Sequence, residues 1–260
     1  MTLALGKLLR SRLKNDPMVI GAWVGIAHPT VIELMAREGF GFLLLDGEHA
    51  PIRTSALCTL LPPAELFGTP TVFRVPSQST AEMKAALDAG VSGLMVPMVE
   101  SADHARAIVS ACKYMPLGRR GVGPWRASGY YDDFEAYLAE ANDATTLMLQ
   151  LESAAGLANL DEITAVEGYD VLFVGPADLA SSLGLRVGEF DGPMVDVLRQ
   201  VAERTQQAGK IPAIDAPSVS MIPLLSEMGY ALFTIGSDIG FIQSAGRSLI
   251  REVRSMRAGK

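Results

Sequence analysis

The sequence is poor in cysteine, in long apolar runs and in clustered basic residues, and each shortage excludes a class of protein. Its two cysteines, Cys58 and Cys112, do not have the spacing of a metal site, so we expect two buried thiols in a reducing cytoplasm. No apolar run reaches the roughly 18 residues of a membrane span. A net charge of −7 argues against a general nucleic-acid surface, which requires basic clusters.

The N-terminal segment also lacks the arrangement of a secretory signal. Basic residues are mixed with an apolar stripe over residues 1–15, whereas a signal keeps its charges ahead of an uninterrupted apolar block. The stripe predicts a short amphipathic helix that plugs the fold or packs on it.

Three stretches combine a short apolar run with acidic residues at its end. They are residues 42–49 (FLLLDGEH), 147–152 (LMLQLE) and 171–178 (VLFVGPAD). A short continuous apolar run bounded by turn residues is typical of a strand buried on both faces. Because α/β barrels and doubly wound sheets build active sites at the carboxyl ends of such strands, these acidic residues are candidate site residues.

The whole chain alternates predicted strands with predicted helices and has no linker or break in composition. Its 260 residues suit one (β/α)8 barrel, which needs about 250. We therefore predict an α/β fold, a single (β/α)8 TIM barrel domain over residues 1–260 with an extra N-terminal helix; an open doubly wound sheet is the alternative. The predicted strands are 19–25, 42–46, 71–75, 93–98, 146–152, 171–174, 211–214 and 232–235. The predicted helices after residue 15 are 29–38, 53–66, 80–89, 101–114, 132–140, 157–166, 192–208, 218–228 and 237–256.

One connection, residues 116–129, is too long for an ordinary loop and carries three arginines and a tryptophan. Loops of this length are usually functional or disordered. We expect this loop to be ordered over the site.

On a barrel, several strand ends bring charged side chains to one rim. So many carboxylates would repel one another and raise their pKa values unless a cation lay among them. Oxygen ligands without a cysteine cluster favour Mg²⁺ or Mn²⁺, and Co²⁺ is a further candidate. Asp178 and Asp238 have an alternative role as helix N-caps; we favour the cation for Asp178 and the cap for Asp238. The charged residues at this rim are Asp46, Glu48, His49, Arg74, Glu152, Asp178 and Asp215.

Lysine is scarce, and its positions exclude imine chemistry. A Schiff-base enzyme needs a lysine near a strand end in the cavity, and none of the six lysines follows a predicted strand there. There is no phosphate-binding glycine loop or dinucleotide fingerprint, because residues 121–123 (GVG) follow a helix rather than a strand. The remaining chemistry is that of a metal acting as a Lewis acid, together with a histidine base and an arginine that binds an anion.

Five motifs, in the same order along nearly the whole chain, resemble those of the HpcH/HpaI aldolase family. Members are metal-dependent (class II) pyruvate aldolases that act on 4-hydroxy-2-oxo acids. The motifs are residues 45–50 (LDGEHA), 119–123 (RRGVG), 150–152 (QLE), 156–163 (GLANLDEI) and 175–179 (GPADL).

The resemblance implies a (β/α)8 barrel lyase in which Glu152 and Asp178 hold one divalent cation (Mg²⁺, Mn²⁺ or Co²⁺), with no organic cofactor. The 2-oxo acid would complete the coordination through its carboxylate and keto oxygens, with water in the remaining positions. Arg74 would hold the keto oxygen and stabilise the enolate. Gln150 and the backbone amides near Pro176 and Ala177 would orient the substrate carboxylate.

The resemblance also implies a base and its supporting residues. His49 would be the base, acting through water bound to the cation, and Asp88 would pair with it. Asp46 and Glu48 would orient water and the cation's ligands. Two alternatives stay open: Asp88 is a solvated charge on a helix, and Arg74 only neutralises Asp46.

Asp215 departs from the family pattern. It falls at the end of predicted strand seven, where the resemblance leads us to expect an apolar residue lining the aldehyde pocket. We therefore expect a polar or hydroxylated aldehyde.

Other reactions remain as alternatives to aldol cleavage. One is oxaloacetate decarboxylation, as in the macrophomate synthase-like branch; another is thioester cleavage, as in the citrate lyase β-subunit branch, which the acidic charge balance does not favour. A third is a non-catalytic barrel that binds a metal and a 2-oxo acid, although the complete set of acid, base and cation ligands argues for turnover.

The resemblance further implies a homo-oligomer. Family members are commonly hexamers, trimers of dimers, that exchange the C-terminal helix. The apolar residues of the final helix would pack on a neighbouring subunit or on their own barrel; they are Ile239, Phe241, Ile242, Leu249, Ile250 and Val253.

Overall fold

The structure, a computed structural model, describes residues 2–258 and contains a closed barrel of eight parallel strands in sequence order. The barrel closes where β8 pairs with β1. This confirms the predicted (β/α)8 fold over an open sheet. Met1, Gly259 and Lys260, which the predicted domain included, lie outside the described residues. The strands are β1 Val19–Val24, β2 Phe42–Asp46, β3 Thr71–Arg74, β4 Gly93–Val96, β5 Thr146–Leu151, β6 Val171–Val174, β7 Ile211–Asp215 and β8 Leu232–Ser237.

Helices follow the strands much as the sequence predicts, with two differences. The predicted helix 157–166 is divided into α7 and α8 at Asn159, and a short helix after β6, α9, was not predicted. Two 3₁₀ turns, Thr54–Ala56 and Val219–Met221, precede α3 and α11. The α-helices are α1 Thr2–Asn15, α2 Pro29–Arg37, α3 Leu57–Leu66, α4 Thr80–Ala89, α5 Ala102–Cys112, α6 Phe134–Ala144, α7 Ala154–Ala158, α8 Leu160–Thr164, α9 Pro176–Ser182, α10 Gly192–Gln207, α11 Ile222–Glu227 and α12 Asp238–Ala258.

Alternate residues of each strand fill the barrel interior, because successive side chains of a strand point to opposite faces. The interior cluster is separate from the larger apolar layer between strands and helices. The strands contribute Val19, Phe42, Leu44, Val72, Met95, Met148, Val171, Phe173, Ala213 and Leu232 to this interior cluster. The next inward position beyond these apolar residues lies at the carboxyl rim, where polar side chains follow.

The N-terminal helix closes the opposite end of the barrel. Leu9 is fully buried and Leu13 nearly so, and both belong to the interior cluster. Lys7 lies on the outer face and pairs with Glu140 of α6 at 2.7 Å. The predicted amphipathic plug is confirmed over the described part of the helix.

The long loop after α5 lies at this N-terminal rim, so the prediction that it covers the site is wrong. Arg120 contacts Asp88 at the end of α4, and Arg126 contacts Glu65 at the end of α3. Helices of a barrel run antiparallel to the strands, so the ends of α3, α4 and α5 return the chain to the rim opposite the site. The arginines stabilise that rim.

Two further expectations are tested by exposure and a third by the length and hydropathy of the helices. Cys112 is buried as expected, but Cys58 is exposed, so the prediction of two buried thiols is wrong for Cys58. The start of helix α12 packs on its own barrel, where Phe241 stacks on Phe40 at 6.2 Å, but the apolar side chains farther along are exposed, as Ile242 (60%) and Leu249 (61%) illustrate. Among the described residues, no helix is both long and apolar enough to cross a membrane.

Candidate active site

The carboxyl rim of the barrel carries a polar layer directly above the apolar interior. Asp46 lies two residues after Leu44, so both side chains point inward, and Arg74 follows Val72 in the same way. Gln150 and Asp215 are the corresponding positions of β5 and β7. These side chains surround a cavity of about 350 Å³, whose lining includes Trp23, Asp46, His49, Arg74, Gln150, Phe173, Pro176, Ala177, Asp178, Asp215 and Asp238.

Arg74 is the central cation of this rim and is held in one orientation. Its Nε and Nη2 atoms donate to the two carboxylate oxygens of Asp46 at 3.0 and 2.8 Å. The guanidinium lies 4.4 Å above the ring of Trp23. Its third nitrogen, Nη1, is 3.2 Å from Glu48 Oε2. A bidentate pair of this kind fixes position as well as charge.

Asp46 also organises the turn that follows β2. Its Oδ1 accepts hydrogen bonds from the backbone amides of Glu48 (3.0 Å) and His49 (3.2 Å). Burial alone would raise the pKa of Asp46, but the hydrogen bond and charge of Arg74 outweigh it and lower the pKa. Neutralisation of Asp46 by Arg74, the alternative role of this arginine, is therefore present in the structure.

Glu152 is buried at the end of β5, and its pKa is strongly raised. Its Oε1 accepts the backbone N–H of Met98 at 2.8 Å, and its Oε2 accepts the side-chain amide of Gln150. Burial raises its pKa to about 7, and the charges of Glu48 and Asp178 act in the same direction. A Cβ on Gly175 would lie only 2.7 Å from Glu152 Oε2, so only glycine allows this approach.

Glu48 is a second carboxyl group with a raised pKa on the same side of the rim. Burial raises its pKa, and the charges of Asp46 and Asp178 contribute, against Arg74 and His49. In the described part of the chain, Gln150 Oε1 is buried without a hydrogen-bond partner, and Glu48 Oε2 is buried with ion-pair contacts but no hydrogen bond. Such groups are rare in native proteins and call for an ion, a water or a ligand.

Asp178 lies in the first turn of α9, with its side chain exposed toward the cavity. The N-cap of α9 is Gly175, and no side chain caps the helix, so the cap alternative for Asp178 is not observed. Asp238 is the first residue of α12, and its Oδ1 accepts the backbone N–H of Ile239 in the first turn at 2.8 Å, so the cap role expected for it is partly observed. It is buried, and its carboxylate accepts the backbone amides of Gly25 and Ile26, fastening the β1–α2 connection to the start of α12.

Asp215 lies at the end of β7, as predicted, and its carboxylate has two side-chain hydrogen-bond donors. Its Oδ1 accepts hydrogen bonds from Trp23 Nε1 (2.8 Å) and Thr234 Oγ1 (2.6 Å). Burial raises its pKa, although both hydrogen bonds and the charge of Arg74 oppose the rise. Asp215 therefore holds Trp23, the ring against which Arg74 packs.

The predicted pairing of Asp88 with His49 is not found within the chain. His49 is exposed at the carboxyl rim, with Nε2 3.7 Å from Glu48 Oε2. Asp88 lies in the last turn of α4, at the opposite rim, and accepts a hydrogen bond from Arg120 Nη2 at 2.6 Å. Its alternative as a solvated charge is also wrong, because it is bound in this ion pair.

The family of the chain follows from sequence comparison. The sequence model of the HpcH/HpaI aldolase/citrate lyase family matches residues 19–226. The chain belongs to this family. 4-Hydroxy-2-oxovalerate aldolase from Novosphingobium aromaticivorans is 35% identical over 246 residues, 93% of each chain. Hydroxypyruvate/pyruvate aldolase from Deinococcus radiodurans is 38% identical over 246 residues, 94% of this chain and 89% of that protein.

A solved structure of the HpcH/HpaI family shows the same architecture. The crystal structure of a family protein from Burkholderia cenocepacia J2315 superimposes with a TM-score of 0.88 at 33% identity. The match covers 95% of this chain and 98% of that one. The barrel described above is therefore the fold of the family.

The donor set of this HpcH/HpaI family member fits a hard divalent cation. Burial raises the pKa of both Glu152 and Glu48, and the negative charge of Asp178 adds to the rise in each; a cation beside these groups would favour their ionised forms. Within residues 2–258, no group of three histidine, cysteine, aspartate or glutamate side chains is arranged as a metal site. Magnesium commonly uses one or two carboxylates and takes its other ligands from water and substrate, which suits this rim.

Trp23, Phe173 and Met98 also belong to this rim, although they are not among the predicted site residues. Trp23 and Phe173 occupy inward positions of β1 and β6, and their rings meet edge to face at 6.3 Å. The period of two along each strand would have found both. Met98 contributes only its backbone amide, which no side-chain pattern identifies.

Proposed function

We propose that this protein is a divalent-cation-dependent carbon–carbon lyase that reversibly cleaves 4-hydroxy-2-oxo acids to pyruvate and an aldehyde. One observation carries the proposal: at one rim of the barrel, Glu152, with its pKa raised to about 7, is close enough to Asp178, Glu48 and Arg74 for their charges to act on it. Asp178 and Arg74 line one cavity, and Glu152 lies beside it, bonded to the cavity residue Gln150. The aldolase names of the relatives support the same reaction.

Glu152 and Asp178 would hold the cation, Mg²⁺, Mn²⁺ or Co²⁺, and no organic cofactor is needed. When bound, the cation supplies Lewis-acid stabilisation of the negative charge that develops on the keto oxygen. Gln150 and the backbone amides near Pro176 and Ala177 would orient the substrate carboxylate. The rest of the chemistry falls to Arg74 and His49.

Arg74 would bind the keto oxygen through its Nη1 atom. The other two nitrogens are fixed by Asp46, so Nη1, which lies 3.2 Å from Glu48 Oε2, is the nitrogen left to reach a ligand. Cleavage of the C3–C4 bond leaves its electron pair on the pyruvyl fragment, and the enolate oxygen carries more negative charge than the ketone. A donor already oriented toward that oxygen binds the transition state more strongly than the substrate.

His49 would act as the base that removes the proton of the C4 hydroxyl group, through water. The aldehyde then leaves, and the proton taken up by His49 returns through the same water to C3 to give pyruvate; the reverse of this last step exchanges the methyl protons. Histidine suits this role near pH 7 because its neutral form is well populated there. Glu48, 3.7 Å from the imidazole, and Asp46, through the backbone amide of His49, would orient the base and the water.

Exchange of the methyl protons of pyruvate in D₂O tests this function. We expect exchange with Mg²⁺, Mn²⁺ or Co²⁺, none after removal of the metal, and a loss of about 100-fold or more in His49→Ala, because general-base catalysis is worth 10²–10⁴-fold. ¹H NMR follows the methyl signal. A barrel that only binds pyruvate would give no exchange with any of the metals, and that result would refute the proposal.

We propose a polar or hydroxylated aldehyde as the second product. Asp215 lines the cavity and uses Oδ1 for Trp23 and Thr234, which leaves Oδ2 for a hydroxyl group. We expect Asp215→Leu to shift the ratio of kcat/KM for glycolaldehyde over acetaldehyde at least about 10-fold toward acetaldehyde. Thr234→Val, which keeps the carboxylate, is the matched control. An unchanged ratio in Asp215→Leu would contradict this assignment.

We also propose a cytoplasmic homo-oligomer, a hexamer built as a trimer of dimers. The resemblance to the family suggests this assembly, and the exposed apolar side chains of α12 support it. Phe241, Leu249 and Ile250 are 41–61% exposed, a surface that monomeric proteins rarely present to water.

A further inference from the structure

Met98 adopts a backbone conformation that side chains rarely take. It lies two residues after the end of β4, with φ of 56°, in the left-handed region that favours glycine. Its own side chain is 44% exposed, so packing of that side chain does not explain the conformation. Strained backbone of this kind persists only where the surroundings hold it, and it is concentrated at functional sites.

The conformation presents the backbone of this turn to the end of β5. Met98 N donates to Glu152 Oε1 at 2.8 Å, and the next amide, Val99 N, donates to Gln150 O at 3.1 Å. The amide of Met98 thereby fixes one oxygen of the Glu152 carboxylate at the end of β5. Gln150 holds its other oxygen, and the absence of a side chain at Gly175 leaves room for it.

A single side chain from the neighbouring strand connection supports the turn. Gln78, in the loop between β3 and α4, donates from Nε2 to Met98 O at 2.7 Å and to Pro97 O at 3.1 Å. Both carbonyls belong to the peptide units that flank the strained residue. Gln78 thus bridges two consecutive carbonyls, and Met98 in turn reaches Glu152.

We propose that Gln78 is a positioning residue for Glu152, acting through the left-handed turn at Met98. This rests on the proposed function, in which Glu152 is a cation ligand. Loss of the two hydrogen bonds allows Met98 to leave its strained conformation. The N–H of Met98 then turns away from Glu152, and the carboxylate is no longer held for the cation.

Direct Mn²⁺ binding to the purified protein tests the proposal, with free Mn²⁺ measured by EPR. Gln78→Met has a similar size but no donor, and we expect its Kd for Mn²⁺ to rise about 10-fold or more, as for other residues that orient a metal ligand. At saturating Mn²⁺, kcat should return to near the wild-type value, because the cation itself then orders Glu152. Gln78→Glu, which also cannot donate to the carbonyls when ionised, should show the same direction and replaces Gln78→Met if that variant does not fold.

Two further variants separate positioning from general stability. Gln206 Nε2 donates to Gly229 O at 2.9 Å, a similar bond to a loop carbonyl at the opposite rim, so Gln206→Met should leave Mn²⁺ binding unchanged. Adding Met98→Gly to Gln78→Met should recover part of the affinity, because glycine adopts the left-handed conformation without strain.

The possible failures are distinguishable. Wild-type affinity in Gln78→Met, while Glu152→Gln loses Mn²⁺, would overturn the role of Gln78 and leave the proposed function standing. Equal weakening in Gln206→Met would also overturn it. Absence of Mn²⁺ binding by the wild-type protein, with no methyl exchange of pyruvate, would overturn both proposals.

Discussion

Glu152→Gln is expected to abolish cation binding and to lower kcat for aldol cleavage by about 10³-fold or more, since a catalytic cation supplies several kcal/mol of charge stabilisation. The substitution keeps the size of the side chain and removes its charge. The Gln oxygen still accepts the N–H of Met98, and Gln150 can turn its own free oxygen toward the new amide. Local structure is thus preserved, and the lost function follows from the lost charge.

The same variant is expected to be more stable than the wild-type protein when both are free of metal above pH 7. The pKa of Glu152 is raised from an ordinary 4.5 to about 7 in the folded protein. Between these values the folded protein binds more protons than the unfolded chain, so the stability of the metal-free wild type falls as pH rises through this window. The difference amounts to about 3 kcal/mol at most.

Thermal unfolding at pH 5 and pH 8, with and without Mn²⁺, measures both effects. We expect Mn²⁺ to raise the Tm of the wild-type protein at pH 8 and to leave the Tm of Glu152→Gln unchanged. Glu100→Gln, on the same rim but only half-buried, is the control and should behave as wild type. A Glu152→Gln variant that still gains stability from Mn²⁺ would show that other residues hold the cation.

The barrel and most of its polar rim could be predicted from the sequence because both depend on strand periodicity. The positions of Asp46, Arg74 and Gln150 follow from short apolar runs that end in polar residues. In a closed parallel sheet, all such ends meet at one rim. The bounds of β2 and β6 were predicted as observed, because turn residues limit these runs at both ends.

Residues outside the strands were harder to place. Asp88 and the loop over residues 116–129 were expected at the site, but both belong to segments that return to the opposite rim. The type of a helix residue does not indicate the rim at which it lies. Only the direction of the helix does so, because its carboxyl end returns to the rim opposite the site. The link from Gln78 to Glu152 depends on the positive φ angle of Met98. The sequence does not indicate this angle, because a positive φ is expected at glycine and not at methionine.

Arg74→Lys is expected to lower kcat by about 10²–10³-fold, the range seen when one preorganised donor to a developing oxyanion is removed. Lysine keeps the charge but is a flexible point donor. It cannot bind Asp46 with two nitrogens and present a third to the substrate. Steady-state kinetics with a 4-hydroxy-2-oxo acid should show the loss mainly in kcat, because the donor acts most strongly on the charge of the transition state.

A second arginine in a bidentate ion pair provides the matched control for this substitution. Arg126 donates from Nη1 and Nη2 to the two oxygens of Glu65 at 2.8 and 2.6 Å, at the rim away from the site. Arg126→Lys breaks a bidentate pair of the same kind and should lower Tm as Arg74→Lys does, but leave kcat unchanged. If both variants lost activity in proportion to their loss of stability, Arg74 would be a structural partner of Asp46 rather than the group that binds the keto oxygen. A loss of kcat in Arg74→Lys but not in Arg126→Lys would mean that Asp46 and Trp23 orient the guanidinium for catalysis as well as for folding.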